Sequence, residues 1–375
     1  MTRGRFAPSP TGRMHLGNVF CALLSWLSAK SKGGEWVLRI EDLDPQRSRE
    51  EYALQLMDDL QWLGLPWDGE PVWQSQRGHI YEEYLLRLTE MGITYPCHCT
   101  RADIMATQAP HETDGRVVYK GTCRPRAIDA INSIDSIGSI DAIDAIDAIG
   151  SIDSTIRTVP ATTRLIVPDR TIPFTDGHYG RHDINLAEHC GDYIVRRKDG
   201  AWAYQLAVVV DDALMGITEI VRGRDLLLSS PQQIHLRELL FGERKTENGT
   251  DAGSENRSKI YFDYAEQQGG KDHEAGLKRK NNSLTAHHSP LTVNFFHHPL
   301  LCNAEGQRLC KRDKSMDLGY LRNKGTTARD IIGLLAHLAG LTNTPAPITP
   351  TELLPLFSWD KVPTEDIMLD KQIIL

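Results

Sequence analysis

The chain has 375 residues, 40% hydrophobic and 25% charged, the proportions of an ordinary globular protein with one large α/β domain or two smaller ones. Its net charge of −8 argues against a generic polyanion binder, although local basic stretches such as Arg196-Arg197-Lys198 and Lys278-Arg279-Lys280 remain available to phosphates. No apolar run reaches the roughly 18 residues of a membrane span, and the start, MTRGRFAPSP, lacks a signal-peptide core.

Residues 3–9 read as a short strand running into a Pro/Ser/Gly loop. A helix follows, with Leu16, Val19, Phe20, Leu23, Leu24 and Leu27 at helical spacing and Gly33-Gly34 as its stop. Residues 35–40 (EWVLRI) read as a buried strand ending in acidic Glu41-Asp42, and Ala53, Leu56, Met57, Leu60 and Leu63 mark the next helix. Strand, loop, helix, strand, helix is the opening of a parallel α/β sheet. A further helix at 79–91 leads into a cysteine cluster at 97–123.

Two segments then look inserted. Residues 128–154 repeat an Ile-Asp step every three residues, a period of neither helix nor strand, and read as a surface loop. Residues 243–290 are a polar excursion rich in Glu, Asn, Gly, Lys and Ser. Between them, the continuous apolar run at 204–210 (YQLAVVV) predicts a buried parallel strand. Residues 217–222 predict another strand, a helix is expected from Pro231, and 326–341 predicts a short amphipathic helix.

The chemistry concentrates in three places. Pro8-Ser9-Pro10-Thr11-Gly12-Arg13-Met14-His15-Leu16-Gly17-Asn18 opens the first helix, where unpaired N–H groups and a partial positive charge favour phosphate. His15 can donate to a phosphate oxygen, and Gly17 lets a nucleotide approach the backbone closely. Alone, such a stretch is more often a turn and a helix cap. Far along the chain, Lys311-Arg312-Asp313-Lys314-Ser315 supplies cations that could stabilise charge built on phosphate during transfer. Finally, Cys97, Cys99 and Cys123 are three soft ligands within 27 residues, suited to zinc in a reducing cytosol. Spacing leaves the fourth ligand open among His98, His111 and Tyr119.

Taken together and in this order, these stretches resemble the class I aminoacyl-tRNA synthetases in their glutamyl/glutaminyl form. Residues 6–18 are similar to the family's first signature and Lys311 to Ser315 to its second, which here carries Arg312 and Asp313 in place of the usual hydrophobic residue and serine. Arg39-Ile40-Glu41-Asp42-Leu43-Asp44, Cys97-His98-Cys99-Thr100-Arg101, Tyr204-Gln205-Leu206-Ala207 and Val221-Arg222-Gly223 also match the glutamyl branch. The resemblance covers about residues 3–125, 160–242 and 295–340. It is strongest to the branch's shortened paralogue, which joins glutamate to the queuosine base in the anticodon of tRNA(Asp). The 60 residues after Ser315 are too few for the two helical anticodon domains of a tRNA(Glu) synthetase.

The resemblance implies an α/β, Rossmann-like parallel-sheet catalytic domain with an inserted zinc-binding subdomain and a short helical C-terminal segment. The expected divisions are 1–94 and 158–242 for the two halves of that domain, 95–125 for the zinc segment, 126–157 and 243–290 for the insertions, and 291–375 for the rest. Arg5, Ser9, Glu41, Tyr204 and Arg222 would bind L-glutamate, with Arg5 and Arg222 on its carboxylates and Glu41 on its ammonium. His15, Gly17, Asn18 and Lys314 would bind ATP, which brings Mg2+, and His15, Lys311 and Lys314 would serve catalysis. Tyr119 would complete the structural zinc site with Cys97, Cys99 and Cys123. The implied enzyme is a cytoplasmic, monomeric, AMP-forming ligase acting on glutamate, ATP and queuosine-containing tRNA(Asp). Its rivals are a tRNA(Glu) synthetase working at the acceptor end and a non-catalytic binding paralogue.

Overall fold

The computed structural model describes residues 1–106, 118–125, 160–242, 292–309 and 316–369. Both segments read above as insertions, His111 and the second signature at 311–315 lie outside the described residues. The first half runs β1 (Arg3–Phe6), α1 (Leu16–Lys30), β2 (Glu35–Ile40), α2 (Glu50–Trp62), β3 (Val72–Trp73), α3 (Gly78–Glu90), β4 (Thr94–Cys97) and α4 (Arg101–Ala106). The second half runs β5 (Thr162–Leu165), β6 (Thr171–Asp176), β7 (Gly180–Asn185), α5 (Leu186–His189), β8 (Tyr193–Arg196), α6 (Tyr204–Leu214), β9 (Glu219–Gly223) and α7 (Ser230–Phe241). The chain then adds β10 (Asn294–His298), β11 (Leu301–Cys302), α8 (Leu318–Asn323), α9 (Ala328–Leu338), α10 (Pro350–Leu353) and β12 (Ile367–Met368).

The main sheet has seven strands in the order β3-β2-β1-β9-β10-β6-β7. All neighbours are parallel except the β6–β7 hairpin at one edge. Strand β1 stands at the reversal of strand order, with β2 on one side and β9 on the other. In such sheets, ligands bind beyond the carboxyl ends of the strands at that reversal. The apolar stripe of α1, with Leu16, Phe20, Leu23, Leu24 and Leu27 fully buried, packs on β1, β2 and the C-terminal helices in the largest core cluster. A separate antiparallel sheet, β4-β5-β8, carries the first cysteine at the end of β4. Among the described residues, no helix is long and apolar enough to cross a membrane.

One expectation is corrected. Residues 204–214 form helix α6, not a strand. Every residue from Leu206 to Leu214 is buried, because α6 is enclosed by α3, α7 and β8. An element buried on all sides shows no apolar face, so its continuous apolar run imitates a central strand. The C-terminal part also carries more than helices: β12 pairs with β11, and Asp366 clasps Arg224 through two bonds of 2.5 and 2.6 Å.

Candidate active site and metal centre

A cleft of about 530 Å³ opens beyond the carboxyl ends of β1, β2 and β9. Arg5, Ser9, His15, Gly17, Asn18, Glu41, Tyr204 and Arg222, which are separated by up to 217 positions in the chain, all line it.

Two buried guanidiniums stand on neighbouring strands at one end. Arg5, on β1, donates to Asp212 at 3.4 Å and to the Val221 carbonyl at 3.2 Å. Arg222, on β9, donates to His297 Nε2 at 3.0 Å, Gln233 Oε1 at 2.7 Å and Ser230 Oγ at 2.9 Å, and it also hydrogen-bonds Tyr204. Burial pushes the Arg222 pKa down, yet a guanidinium stays charged in proteins. Among the described residues, no carboxylate lies within ion-pair distance of Arg222, so its charge is directed to the cleft. Glu41, just past β2, accepts from Arg39 at 3.1 Å, and Arg39 donates in turn to Asp212 at 2.6 Å. Burial raises the Glu41 pKa, while Arg39 and Arg5 oppose that rise. The charges of Arg5, Arg39, Arg77 and Arg222 against Glu41, Asp211 and Asp212 leave one net positive charge.

The other end is the N-terminus of α1. His15 caps it: its Nδ1 accepts from the Gly17 N–H at 3.1 Å, while the Asn18 side chain accepts from the His15 N–H at 3.1 Å. Such caps contribute about 1 kcal/mol. Because Nδ1 accepts, the neutral ring carries its proton on Nε2, as a donor. Gly17 has a packing reason of its own: a Cβ there would stand 3.0 Å from the His15 ring. The residues flanking 310–315 converge here. Leu309 lines the cleft beside Gly17, and Asp317 forms a β-bridge with His15.

Away from the cleft, the three predicted thiols come together. The sulfurs of Cys97, Cys99 and Cys123 lie within 4.8 Å of one another. Zinc at about 2.3 Å from each sulfur of a tetrahedral site sets sulfurs just under 4 Å apart. The Tyr119 hydroxyl lies 3.4 Å from Cys97 Sγ and 3.7 Å from Cys99 Sγ, and accepts from the Cys123 N–H at 2.7 Å. His98 is exposed, and no histidine among the described residues joins the group. Burial would raise the Cys123 pKa, but hydrogen bonds from Tyr119 and the backbone outweigh it and bring the thiol to about 7. That donor set fits a closed, soft metal site.

Sequence reasoning missed several cleft residues. Cys21, Asp225, His298 and Arg308 also line it, and Arg308 pairs with Asp225. The buried support of Arg222, namely Ser230, Gln233 and His297, was likewise invisible: Gln233 and Ser230 sit in a helix whose pattern reads only as packing.

The family model for the catalytic domain of class I tRNA synthetases (E and Q) matches residues 1–248. A glutamyl-Q tRNA(Asp) synthetase of Nitratidesulfovibrio vulgaris is 35% identical, with the match spanning 100% of this chain and 97% of that protein. One from Symbiobacterium thermophilum is 36% identical, spanning 100% of this chain and 98% of its own. In fold, the chain is similar to a glutamate tRNA ligase from Elizabethkingia meningosepticum crystallised with its amino acid, with a TM-score of 0.66 at 24% identity, covering 100% of this chain and 68% of that one.

Proposed function

The chain belongs to the class I tRNA synthetases of the glutamate and glutamine branch, and within it to the glutamyl-Q tRNA(Asp) synthetases; from that premise we propose that this ligase activates L-glutamate with ATP and transfers it to queuosine in tRNA(Asp). The observation that carries the amino-acid half is the charge pattern of the cleft. Two buried guanidiniums and one carboxylate, Arg5, Arg222 and Glu41, complement the two carboxylates and one ammonium of glutamate. The net positive charge of that group is cancelled by a ligand of net charge −1. Glutamine, with no net charge, would leave it unbalanced, and a guanidinium gains much less from an amide than from a carboxylate.

In the proposed reaction, a carboxylate oxygen of glutamate attacks the α-phosphorus of ATP. The new P–O bond replaces the bond to the β-phosphate, and pyrophosphate leaves. The α1 N-terminus and the Nε2–H of His15 stabilise charge on the phosphate oxygens, with Asn18 and Gly17 beside the nucleotide. Lys311 and Lys314 would add cations, a role supported by the convergence of Leu309 and Asp317 on the first signature. Mg2+ accompanies ATP, held mainly by phosphates and water. A queuosine hydroxyl then attacks the activated carbonyl, and AMP departs. Ser9 and Tyr204, at the rim shared with a neighbouring pocket, are the residues proposed to flank glutamate there. Zinc held by Cys97, Cys99, Cys123 and Tyr119 would serve structure, since four protein ligands leave no position for substrate.

The acceptor is tested with labelled glutamate and tRNA. Label should enter tRNA(Asp) only when queuosine is present, and periodate oxidation of the base's neighbouring hydroxyls should abolish it. Trimming the terminal adenosine of the acceptor end should not. Label on that adenosine of tRNA(Glu) would instead assign the chain to acceptor-end charging.

A further inference from the structure

Arg222 is held by groups that neither signature contains. Strands β9, β10 and β6 are neighbours, and Arg222 and His297 are register partners across β9 and β10. Asp176 pairs with Phe295, two residues before His297, so all three side chains project from one face of the sheet. Asp176, His297 and Arg222 are buried, at 1%, 0% and 4% exposure.

The hydrogen bonds across this row have a direction. The Asp176 carboxylate accepts from the backbone N–H groups of His178 at 3.0 Å and Tyr179 at 2.8 Å. It also accepts from the His297 backbone, and its Oδ2 lies 2.6 Å from His297 Nδ1. A carboxylate held by several N–H groups stays ionised and acts as acceptor only. His297 Nδ1 must therefore carry the proton, which leaves Nε2 with a lone pair, and that lone pair receives the Arg222 Nε–H at 3.0 Å. With Nε occupied there, and Gln233 and Ser230 on the terminal nitrogens, the plane of the guanidinium is fixed.

We infer that Asp176 and His297 form a positioning relay, in which Asp176 fixes the Nδ1–H tautomer of His297 so that Nε2 orients the Arg222 guanidinium toward the carboxylate of the bound amino acid. Neither residue touches glutamate; both act through Arg222. The inference rests on the proposed role of Arg222 in glutamate binding, but the relay's own geometry does not. An asparagine at position 176 can present its amide N–H₂ to His297 Nδ1. The imidazole proton would then move to Nε2, where it would oppose the Arg222 Nε–H donor against donor.

Nitrogen NMR on the intact, folded protein with labelled histidine reads the tautomer without any variant or activity. The relay requires the His297 Nδ1 to be protonated and Nε2 to be a bare acceptor; a protonated Nε2 overturns it. Glutamate-dependent ATP–pyrophosphate exchange reads the consequence. Asp176→Asn and His297→Ala should raise the glutamate KM by roughly 10–100-fold, the scale for losing a residue that orients a ligand-binding group. The ATP KM should stay within about twofold, and His297→Gln, whose amide oxygen can reaccept from Arg222, should recover much of the loss. Equal rises in both KM values, or a glutamate KM unchanged in Asp176→Asn, would overturn the relay. No exchange by the wild-type protein would instead overturn the reading of Arg222, leaving the NMR result to decide the geometry.

Discussion

Glu41 and Asp225 are the carboxylates among the described residues that line the cleft; Asp225 is paired with Arg308, and the environment of Glu41 makes a pH prediction. Burial raises its pKa above the ordinary carboxylate value, with Arg39 and Arg5 resisting. The ionised form is the one that accepts from an ammonium. Affinity for glutamate should therefore be full above that raised pKa and fall as pH drops through it. Glu41→Gln should raise the glutamate KM by roughly 10²-fold, the upper range for a hydrogen bond to a charged group, and should remove this acidic limb from the pH profile of kcat/KM. A limb that persists in the variant would assign it elsewhere. At this scale, several of the residues that line the cleft were legible through the family resemblance, and Arg5, Glu41 and Arg222 stand at or near the carboxyl ends of their strands. Their supports were not. Asp212 meets Arg5 from 207 positions away and Asp176 meets His297 from 121, and no local pattern reports such pairings.

The elements show where periodicity stops being informative. Helices α2, α3 and α9 have an apolar face over a polar one and are read correctly from their spacing, within two or three residues at the ends, whereas α1 is buried from Ala22 to Ala29 and was marked by the helical spacing of its large apolar residues and its Gly33-Gly34 stop. Helix α6 has no polar face outward; its Asp211 and Asp212 are buried against Arg77, Tyr81, Gln74, Arg5 and Arg39. Reading it as a strand would carry Tyr204 on an extended segment, whereas as the first helical residue it places its phenol at the cleft rim. The metal segment is joined to the rest by Asp192, which pairs with Arg124 and accepts from Tyr95 at 2.6 Å and from the Val167 N–H at 2.9 Å. Zinc loss should therefore loosen a bounded region. We expect about one zinc per chain by elemental analysis, most of it lost in Cys97→Ser. Hydrogen exchange should then rise at 94–99 and 118–125 and stay slow in β1 and β2, whose partners lie in another core cluster. A metal-free wild-type protein with the same exchange pattern would refute the site.

For the molecule as a whole, chain order was enough to foresee a parallel α/β sheet with its site at the first loop, because each early element follows its neighbour in sequence and in space. The order beyond β1 was not legible. Strand β9 enters beside β1 only after the three-stranded sheet and α6 have been built, and β10 joins it from the far side of an insertion. That late insertion of β9 is what brings Arg222 next to Arg5, and the C-terminal Asp366, by clasping Arg224, holds the same strand end. The site is thus a property of the assembled sheet rather than of either signature. Its central consequence is selection of an amino dicarboxylic acid. ATP–pyrophosphate exchange measured side by side with L-glutamate and L-glutamine tests it most directly. Exchange should be supported by glutamate and be weaker with glutamine by on the order of 10²-fold or more, since a site built for a charged group leaves buried guanidinium donors poorly matched by an amide. Glutamine supporting exchange as well as glutamate, or glutamate supporting none, would contradict the account.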